Sequence, residues 1–367
     1  MLILKRFLHH SDWLLTAALA LAIGIGLVAI WSFSPPAFQL FGRQLLWAAI
    51  GALAFFVLAL TDYRLFRNHG GFLVILYFLG IVFLGSLFLF APTTRGVVSW
   101  FQLAGAGIQP VEPMKLVLAL LFAKYFSRRH IEIARVRHLF ITAAYALLPV
   151  LLVLAQPDLG SAVILGMIWL AVVVFSGIRL RHFLIFFMLL AVLSAGAWSS
   201  LLAPYQKDRI LAFLNPYRDP QGAGYHTIQA MIAAGSGGLI GKGIGYGSQS
   251  HLNFLPEPET DFVFAAFTEE TGFVGAAILL GVFGVIYWRM LKIGAAAKDN
   301  FSKLYVLGFA AFIFTEFLIH VAMNLGLLPV TGIGLPLISY GGSNLIVTLA
   351  GFGILQSIRI NSVPETE

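Results

Sequence analysis

Apolar runs about as long as a bilayer is thick recur along this chain. Of its 367 residues, 59% are hydrophobic and only 11% are charged. A membrane-spanning α-helix needs about 20 predominantly apolar residues, and many separate runs approach that length. This composition excludes a soluble domain, so the sequence predicts an all-α polytopic membrane protein.

About ten runs are predicted to span the membrane, and together they form one integral membrane domain over residues 1–367. The first run follows Lys5 and Arg6 and has no small-residue cleavage site after it, which indicates a retained helix and not a signal peptide. The predicted spans are Trp13–Trp31, Leu40–Leu60, Gly71–Phe90, Val111–Phe126, Leu139–Leu154, Gly160–Gly177, Phe183–Leu201, Phe262–Leu291, Leu304–Gly326 and Leu337–Ile358.

The distribution of basic residues predicts the orientation of these spans. Most of the 23 Lys and Arg residues lie in the N-terminal segment and in alternate linkers. Because cytoplasmic loops are rich in Lys and Arg, these linkers and both termini are predicted to be cytoplasmic. The same rule explains the net charge of +7, so binding to nucleic acid is not expected.

The linkers predicted to lie on the opposite, external side are unusual in length or composition. Residues 202–260 form the longest linker, and a long loop of this kind is more often functional than idle. Within it, residues 226–241 are apolar but too short to span, which favours a short membrane-associated helix. Residues 327–343 are rich in Gly and Pro and predict irregular backbone at membrane depth.

An acidic stretch joins the long loop to the eighth predicted span. Thr260 or Asp261 is a suitable N-cap for that helix. In a straight helix, Glu269 would lie about 12 Å deeper than Asp261, with Glu270 beside it. Carboxylates inside a membrane are costly and commonly functional. The simpler interpretation is that Asp261 is only a cap.

Two further polar sites lie at the starts of predicted helices on the external side. Glu112 and Lys115 are three residues apart and can pair on one helix face. They form either a pair that neutralises itself or a pocket with a cation for an anionic ligand. Asp158, before the sixth predicted span, is either a helix cap or a site residue.

In the ninth predicted span, Glu316, His320 and Asn324 are spaced four residues apart and share one face. A buried, hydrogen-bonded stripe that holds helices together is favoured over a proton relay. The glycine-rich residues 235–245 resemble a phosphate-binding loop, but Gly243 stands where the pattern needs Ser or Thr, so nucleotide binding is rejected. The chain has no cysteine, which excludes thiolate metal sites.

A series of motifs extends along the chain. They are Trp100, Gln109-Pro110-x-Glu112-x-x-Lys115, Gln156-Pro157-Asp158-Leu159-Gly160, Arg209-Ile210-x-x-Phe213-x-Asn215-Pro216, Asp219-Pro220-x-Gly222-x-Gly224-Tyr225, Gln229, Leu255-Pro256-Glu257-x-x-Thr260-Asp261-Phe262, Glu269-Glu270, Asn324-x-Gly326 and Ser339-Tyr340-Gly341-Gly342-Ser343. Together they resemble the SEDS family, the RodA, FtsW and SpoVE group of bacterial peptidoglycan polymerases. The short chain without long cytoplasmic tails is most similar to RodA, the elongation member.

The resemblance implies that lipid II is polymerised into a β-1,4 glycan at the outer face of the bacterial inner membrane. Undecaprenyl pyrophosphate leaves, and the anomeric carbon is inverted. No tightly bound cofactor is implied, and a requirement for a divalent cation, Mg²⁺ or Mn²⁺, is left open. The implied partners are lipid II, membrane lipid, a class B penicillin-binding protein acting as transpeptidase, and other proteins of the elongation complex.

The resemblance also directs the choice of site residues. Asp261 is predicted to be the general base that takes the proton of the acceptor hydroxyl group. Cations must meet the charge that develops on the pyrophosphate, and the candidates are Lys115, Arg95 and Arg209. The residues predicted to bind substrate are Trp100, Arg95, Glu112, Lys115, Asp158, Arg209, Gln229 and Ser343.

Two other functions are compatible with the sequence. A lipid II flippase or transporter would also have many spans and buried ionisable residues. It predicts acids near mid-membrane and commonly inverted repeats, whereas the polar material here is on one side. A non-catalytic scaffold of the elongation machinery is the other alternative, and it does not exclude an enzyme.

Overall fold

The computed structural model is mostly helical within the residues it describes. These are residues 2–33, 38–91, 99–103, 106–127, 136–177, 188, 196, 211, 213–222, 224–252 and 254–362. The helices are α1 (Leu2–His10), α2 (Trp13–Phe33), α3 (Phe38–Leu60), α4 (Arg64–Asn68), α5 (Gly70–Phe90), α6 (Val111–Ser127), α7 (Val136–Ala155), α8 (Leu159–Phe175), α9 (Tyr225–Ser236), α10 (Ser248–His251), α11 (Val263–Ala296), α12 (Asn300–Asn324) and α13 (Gly342–Ser362). Strands β1 (Phe101–Leu103) and β2 (Ala106–Ile108) pair antiparallel.

The all-α membrane fold predicted from the sequence is confirmed. Among the described residues, seven helices are long and apolar enough to cross a membrane: α2, α3, α5, α7, α11, α12 and α13. Helices α6 and α8 have 17 residues each, about 26 Å of helix, and each coincides with a predicted span. The predicted span Phe183–Leu201 falls almost entirely outside the described ranges, so the number of ten stays a prediction.

One end of the helix bundle is held by polar contacts between segments far apart in sequence. The guanidinium group of Arg289 in α11 donates to the carboxylate of Asp12, just before α2. Gln356 of α13 donates to the Asp12 carbonyl oxygen at 3.0 Å. The hydroxyl group of Tyr63 donates to Asp299 at 2.6 Å. We call this the terminal end, because α2 begins here and α13 ends here.

The opposite end is called the site end, because the predicted functional residues lie here. Ser32, next to the last residue of α2, donates to Glu270 of α11 at 2.6 Å. The amide of Gln109, just before α6, donates to Ser343 Oγ in the first turn of α13 at 3.2 Å. Between the two ends, α12 packs against α6, α8 and α11, and α13 packs against α3.

Helix α11 is broken near the site end. Gly272 has φ 67° and ψ −166°, a backbone conformation that glycine adopts most readily. A Cβ atom on Gly241 would lie 2.1 Å from the Glu270 carbonyl oxygen, so only glycine allows this approach of the loop. Loop and helix share the backbone bonds Lys242 N to Glu269 O, Gly243 N to Glu270 O, Phe273 N to Gly238 O and Val274 N to Leu239 O.

The break changes the expected position of the interior acids. Residues 263–270 run across the site end, since Ala265 contacts Asn324 at the end of α12 and Glu270 contacts Ser32 at the end of α2. Glu270 thus lies level with the end of a span. The straight-helix expectation that placed it deep inside the bilayer is therefore wrong.

Candidate active site

Asp261 lies in a tight turn immediately before α11. The amides of Thr260 and Phe262 both donate to the Glu257 carbonyl oxygen, at 3.2 and 3.4 Å, which closes the turn. Three successive carbonyl oxygens then accept bonds from the C-terminal part of the chain: Tyr340 N to Glu259 O at 2.8 Å, Ser339 Oγ to Thr260 O at 2.7 Å and Asn324 Nδ2 to Asp261 O at 3.0 Å. The backbone that carries Asp261 is therefore fixed at three consecutive residues.

Asp261 is half-buried at the site end. A Cβ atom on Gly332 would lie 3.6 Å from Asp261 Oδ2, so a larger residue there would narrow access to the carboxylate. Burial raises the pKa of Glu259, and the Glu257 carboxylate raises it further, against the opposing effect of a hydrogen bond from its own amide.

The prediction that Thr260 or Asp261 caps this helix is wrong. The N-cap of α11 is Phe262, which makes no side-chain cap bond, and neither Thr260 nor Asp261 occupies that position. The capping acceptor comes from another helix: the amide of Ala265 donates to Asn324 Oδ1 at 3.0 Å. An N-cap side chain normally accepts from an amide at this position, so Asn324 supplies the cap from outside α11.

The segment between α12 and α13 is irregular, as the sequence predicts. Residues 325–341 contain no helix, and α13 begins at Gly342, later than the predicted start at Leu337. Leu337 has a positive φ of 67°, which cannot continue a right-handed helix. Ser339 Oγ accepts from the amide of Leu335 at 2.8 Å. Protein groups thus supply the partners that such backbone needs at membrane depth.

The polar stripe of α12 joins that helix to three different parts of the chain. Glu316, His320 and Asn324 are all fully buried. Glu316 contacts α6 and α13, and His320 Nδ1 donates to the Ile333 carbonyl oxygen at 2.7 Å. Asn324 contacts the start of α11. These contacts are those of a stripe that holds helices together, the interpretation that the sequence favours.

A buried ionic cluster lies where α6, α12 and α13 meet. Lys115 Nζ donates to Glu112 Oε1 at 2.7 Å and to Glu316 Oε1 at 2.5 Å. Asn344 Nδ2 donates to Glu112 Oε2 at 3.0 Å and to Glu316 Oε2 at 3.1 Å. The predicted pairing of Glu112 with Lys115 is present. Sequence reasoning did not place Glu316 and Asn344 in this cluster.

The geometry of the cluster limits how Lys115 can act as one of the predicted cations. Lys115 has 0% of its surface exposed, and its ammonium group is enclosed by carboxylates. This burial leaves Lys115 no exposed surface with which to contact a pyrophosphate directly. Arg95 and Arg209, the other candidate cations, lie outside the described residues.

Asp158 is the N-cap of α8. Its Oδ1 accepts from the amide of Ser161 at 2.9 Å, and its Oδ2 accepts from the Ser161 hydroxyl group at 2.7 Å. Gln109 Nε2 also donates to Asp158 Oδ2, at 3.4 Å. The cap interpretation therefore has direct geometric support, and a role in substrate binding stays a prediction.

Trp100 and Ser343 both contact Gly107 of the hairpin β1–β2. A Cβ atom on Gly107 would lie 3.0 Å from the Trp100 ring, so the ring packs closely against this glycine. Ser343 Oγ donates to the Gly107 carbonyl oxygen at 3.3 Å. Trp100 is 39% exposed, which leaves part of an aromatic surface open at the site end.

Gln229 lies in the middle of α9 and is half-buried. This helix forms within the predicted membrane-associated segment and packs against α11 and α12. The ring of His226 in this helix lies 6.4 Å from the ring of Phe262, which follows Asp261, so Gln229 is on the element beside the turn of Asp261. Its predicted contact with substrate stays a prediction.

Glu269 and Glu270 bind the glycine-rich loop to α11. Lys242 Nζ donates to Glu269 Oε1 at 2.6 Å. Glu270 accepts from Ser32 Oγ at 2.6 Å and lies 3.1 Å from His251 Nε2. The two acids therefore hold the long loop against the broken helix.

Across the part of the chain that the structure describes, no three His, Asp or Glu side chains are grouped to hold a metal ion. The arrangement offers instead a carboxylate on a rigidly held turn, an exposed aromatic ring and a buried ionic cluster at one end of a membrane bundle. A half-buried carboxylate on such a turn can act as a proton acceptor.

Comparison with known proteins gives matches over nearly the whole chain. Residues 12–363 match a family described as "Cell cycle protein", that of FtsW, RodA and SpoVE. The chain is 37% identical over 351 residues to the peptidoglycan glycosyltransferase MrdB of Escherichia coli K12, covering 96% of this chain and 94% of MrdB. It is 35% identical over 358 residues to the stage V sporulation protein E of Bacillus subtilis, covering 95% and 96%.

Two solved structures share the fold. RodA of Thermus thermophilus matches with a TM-score of 0.72 and 30% identity, over 97% of this chain and 99% of that one. A chain from a peptidoglycan synthase complex, described as coordinating polymerisation and crosslinking, matches with a TM-score of 0.83 and 32% identity, over 97% and 100%.

Proposed function

Because the chain belongs to the SEDS family of FtsW, RodA and SpoVE proteins, we propose that it is an inverting peptidoglycan glycosyltransferase. It polymerises lipid II into β-1,4 glycan strands during cell elongation and releases undecaprenyl pyrophosphate. Its relatives named peptidoglycan glycosyltransferase align with nearly the whole chain. The observation that carries the proposal is the turn of Asp261, clamped at three successive carbonyl oxygens beside the ends of the spans.

The chemistry needs one proton acceptor at the membrane surface. The 4-hydroxyl oxygen of the acceptor GlcNAc forms a bond to the anomeric carbon of the donor, while the bond from that carbon to the pyrophosphate oxygen breaks. Asp261 takes the hydroxyl proton, and the electron pair of the broken bond leaves with undecaprenyl pyrophosphate. General-base action of this kind contributes about 10²–10⁴ in rate.

The leaving pyrophosphate gains negative charge, which nearby cations stabilise. We assign this function to Arg95 and Arg209, and to Lys115 acting through its cluster with Glu112. No step of the proposed reaction is assigned to Mg²⁺ or Mn²⁺. The other proposed substrate contacts are Trp100, Asp158, Gln229 and Ser343.

We further propose that the protein lies in the bacterial inner membrane with both termini in the cytoplasm and the site end outside. Because the chain contains no cysteine, single cysteines report topology cleanly. Tyr246, on the long loop, is 78% exposed, and Lys298, between α11 and α12, is exposed. An impermeant thiol reagent should label Tyr246→Cys in intact cells and Lys298→Cys only after permeabilisation. The reverse pattern would exclude this orientation.

The proposed partners are a class B penicillin-binding protein, the transpeptidase, and other proteins of the elongation complex. The support is the structural relative found in a peptidoglycan synthase complex. In such a pair, the glycan product of this chain is the substrate for crosslinking.

The test is polymerisation of purified lipid II by the purified protein, with and without its transpeptidase. Glycan strands should form, and they should be absent when the transpeptidase is assayed alone. A parallel assay follows lipid II across a vesicle bilayer. Transport without polymer would identify a flippase, and neither activity in the presence of the transpeptidase would favour a scaffold.

A further inference from the structure

Asn324 is the last residue of α12, and both polar atoms of its side-chain amide form hydrogen bonds. Its Oδ1 accepts from the amide of Ala265 at 3.0 Å. Its Nδ2 donates to the carbonyl oxygens of Asp261 at 3.0 Å and His320 at 2.8 Å. A side-chain amide has one acceptor oxygen and two N–H donors, so both donors are engaged. Asn324 is fully buried, which makes these contacts costly to lose.

The contact with Ala265 replaces a local helix cap. An N-cap side chain accepts from the amide of the second or third helical residue, and Ala265 is the third residue of α11. If Asp261 performed this capping, one carboxylate oxygen would be directed at the helix amides. With Asn324 as the acceptor, the same side chain both caps the helix and binds the Asp261 backbone.

We propose that Asn324 is a positioning residue for the general base. It caps α11 in place of Asp261 and fixes the Asp261 carbonyl group, so that the carboxylate is directed at the acceptor hydroxyl group. This inference rests on the proposed function. Its importance follows from the steep dependence of rate on geometry, since a misplacement of about 1 Å can cost about 10²-fold.

Asn324→Leu removes all three contacts while nearly keeping the shape of the side chain. Per folded molecule, kcat for lipid II polymerisation should fall about 10²-fold. KM should change little, because a buried Asn324 does not touch substrate. The two constants are measured by titrating lipid II with protein whose folded fraction is determined separately.

Gln356→Leu is the matched control. Gln356 is also fully buried and also engages its side-chain amide in three hydrogen bonds, at the terminal end. It accepts from the amide of Asp12 at 3.0 Å and donates to the Asp12 carbonyl oxygen at 3.0 Å and to Thr16 Oγ at 2.9 Å. Gln356→Leu should lower the melting temperature as Asn324→Leu does and leave kcat unchanged.

A second variant keeps the test valid if Asn324→Leu does not fold. Asn324→Asp retains the acceptor for Ala265 but loses both donors, and it should also lower kcat. Combined with Asp261→Asn, neither Asn324 substitution should cause a further loss, because its effect acts through Asp261. An unchanged kcat, or a further loss in the Asp261→Asn background, would overturn the inference. An active Asp261→Asn variant would overturn the proposed base instead.

Discussion

Asp261→Asn should fold, enter the membrane and bind the transpeptidase, yet make almost no glycan. Asparagine keeps the shape of the side chain but cannot take the hydroxyl proton. The clamp on the turn uses carbonyl oxygens only, so it survives the substitution. Loss of a general base predicts a fall of about 10²–10⁴ in the polymerisation rate. Turnover of purified lipid II measures the loss of polymerisation, and co-purification of the transpeptidase measures the retained binding.

The neighbouring acids provide matched controls within the same turn. Glu257→Gln and Glu259→Gln should retain most of the activity, because neither carboxylate is assigned the proton. If Asp261→Asn polymerised lipid II at a rate near that of the unmodified protein, the assignment would be wrong. The base would then be sought among the other carboxylates of the site end, Asp158 first.

Glu259→Gln also carries an expectation for pH. Burial and the charge of Glu257 raise the pKa of Glu259 in the folded protein, so above the ordinary carboxyl pKa the folded state binds more protons than the unfolded state. Its contribution to stability is therefore lost as pH rises through the raised pKa. Glu259→Gln should remove this loss, so its melting temperature at neutral pH should equal or exceed that of the unmodified protein.

The sequence predicts the spans well, because a bilayer imposes length and hydropathy directly on each helix. It does not predict the break in α11, because that break depends on contacts from elsewhere in the chain. Gly272 alone is compatible with a continuous helix. The break is stabilised by backbone bonds to residues 238–243, which no local pattern reveals.

The site was predictable where it depends on local spacing. Glu112 and Lys115 pair because three residues of helix bring them to one face. Glu316 joins them from a position 201 residues away, and Asn344 joins from a third helix. The spacing of Glu316, His320 and Asn324 was the available signal, but it indicated a buried face without naming the partners. The cap that Asn324 supplies to α11 could not be inferred for the same reason.

Lys115→Met should both destabilise the protein and reduce polymerisation strongly. Lys115 is the cation between Glu112 and Glu316, and its removal leaves two buried carboxylates with Asn344 as their remaining partner in the cluster. Removing one partner of a buried ion pair typically costs about 3–5 kcal/mol. Lys124→Met is the control for loss of a buried lysine from the same helix, because Lys124 is also buried and lies outside the cluster of Glu112, Lys115, Glu316 and Asn344. Thermal unfolding in detergent and lipid II turnover measure the two effects.

A neutral cluster separates stability from catalysis. A variant in which Glu112 and Lys115 are exchanged would not separate the two effects, because it would place a carboxylate at position 115 against Glu316. The triple variant Lys115→Met, Glu112→Gln, Glu316→Gln instead removes every charge, and such replacement of a buried ionic group can leave stability unchanged or improve it. If the cluster stabilises charge on the pyrophosphate, this variant should melt near the temperature of the unmodified protein and still polymerise poorly. Recovery of turnover together with stability would mean that the cluster only holds α6, α12 and α13 together.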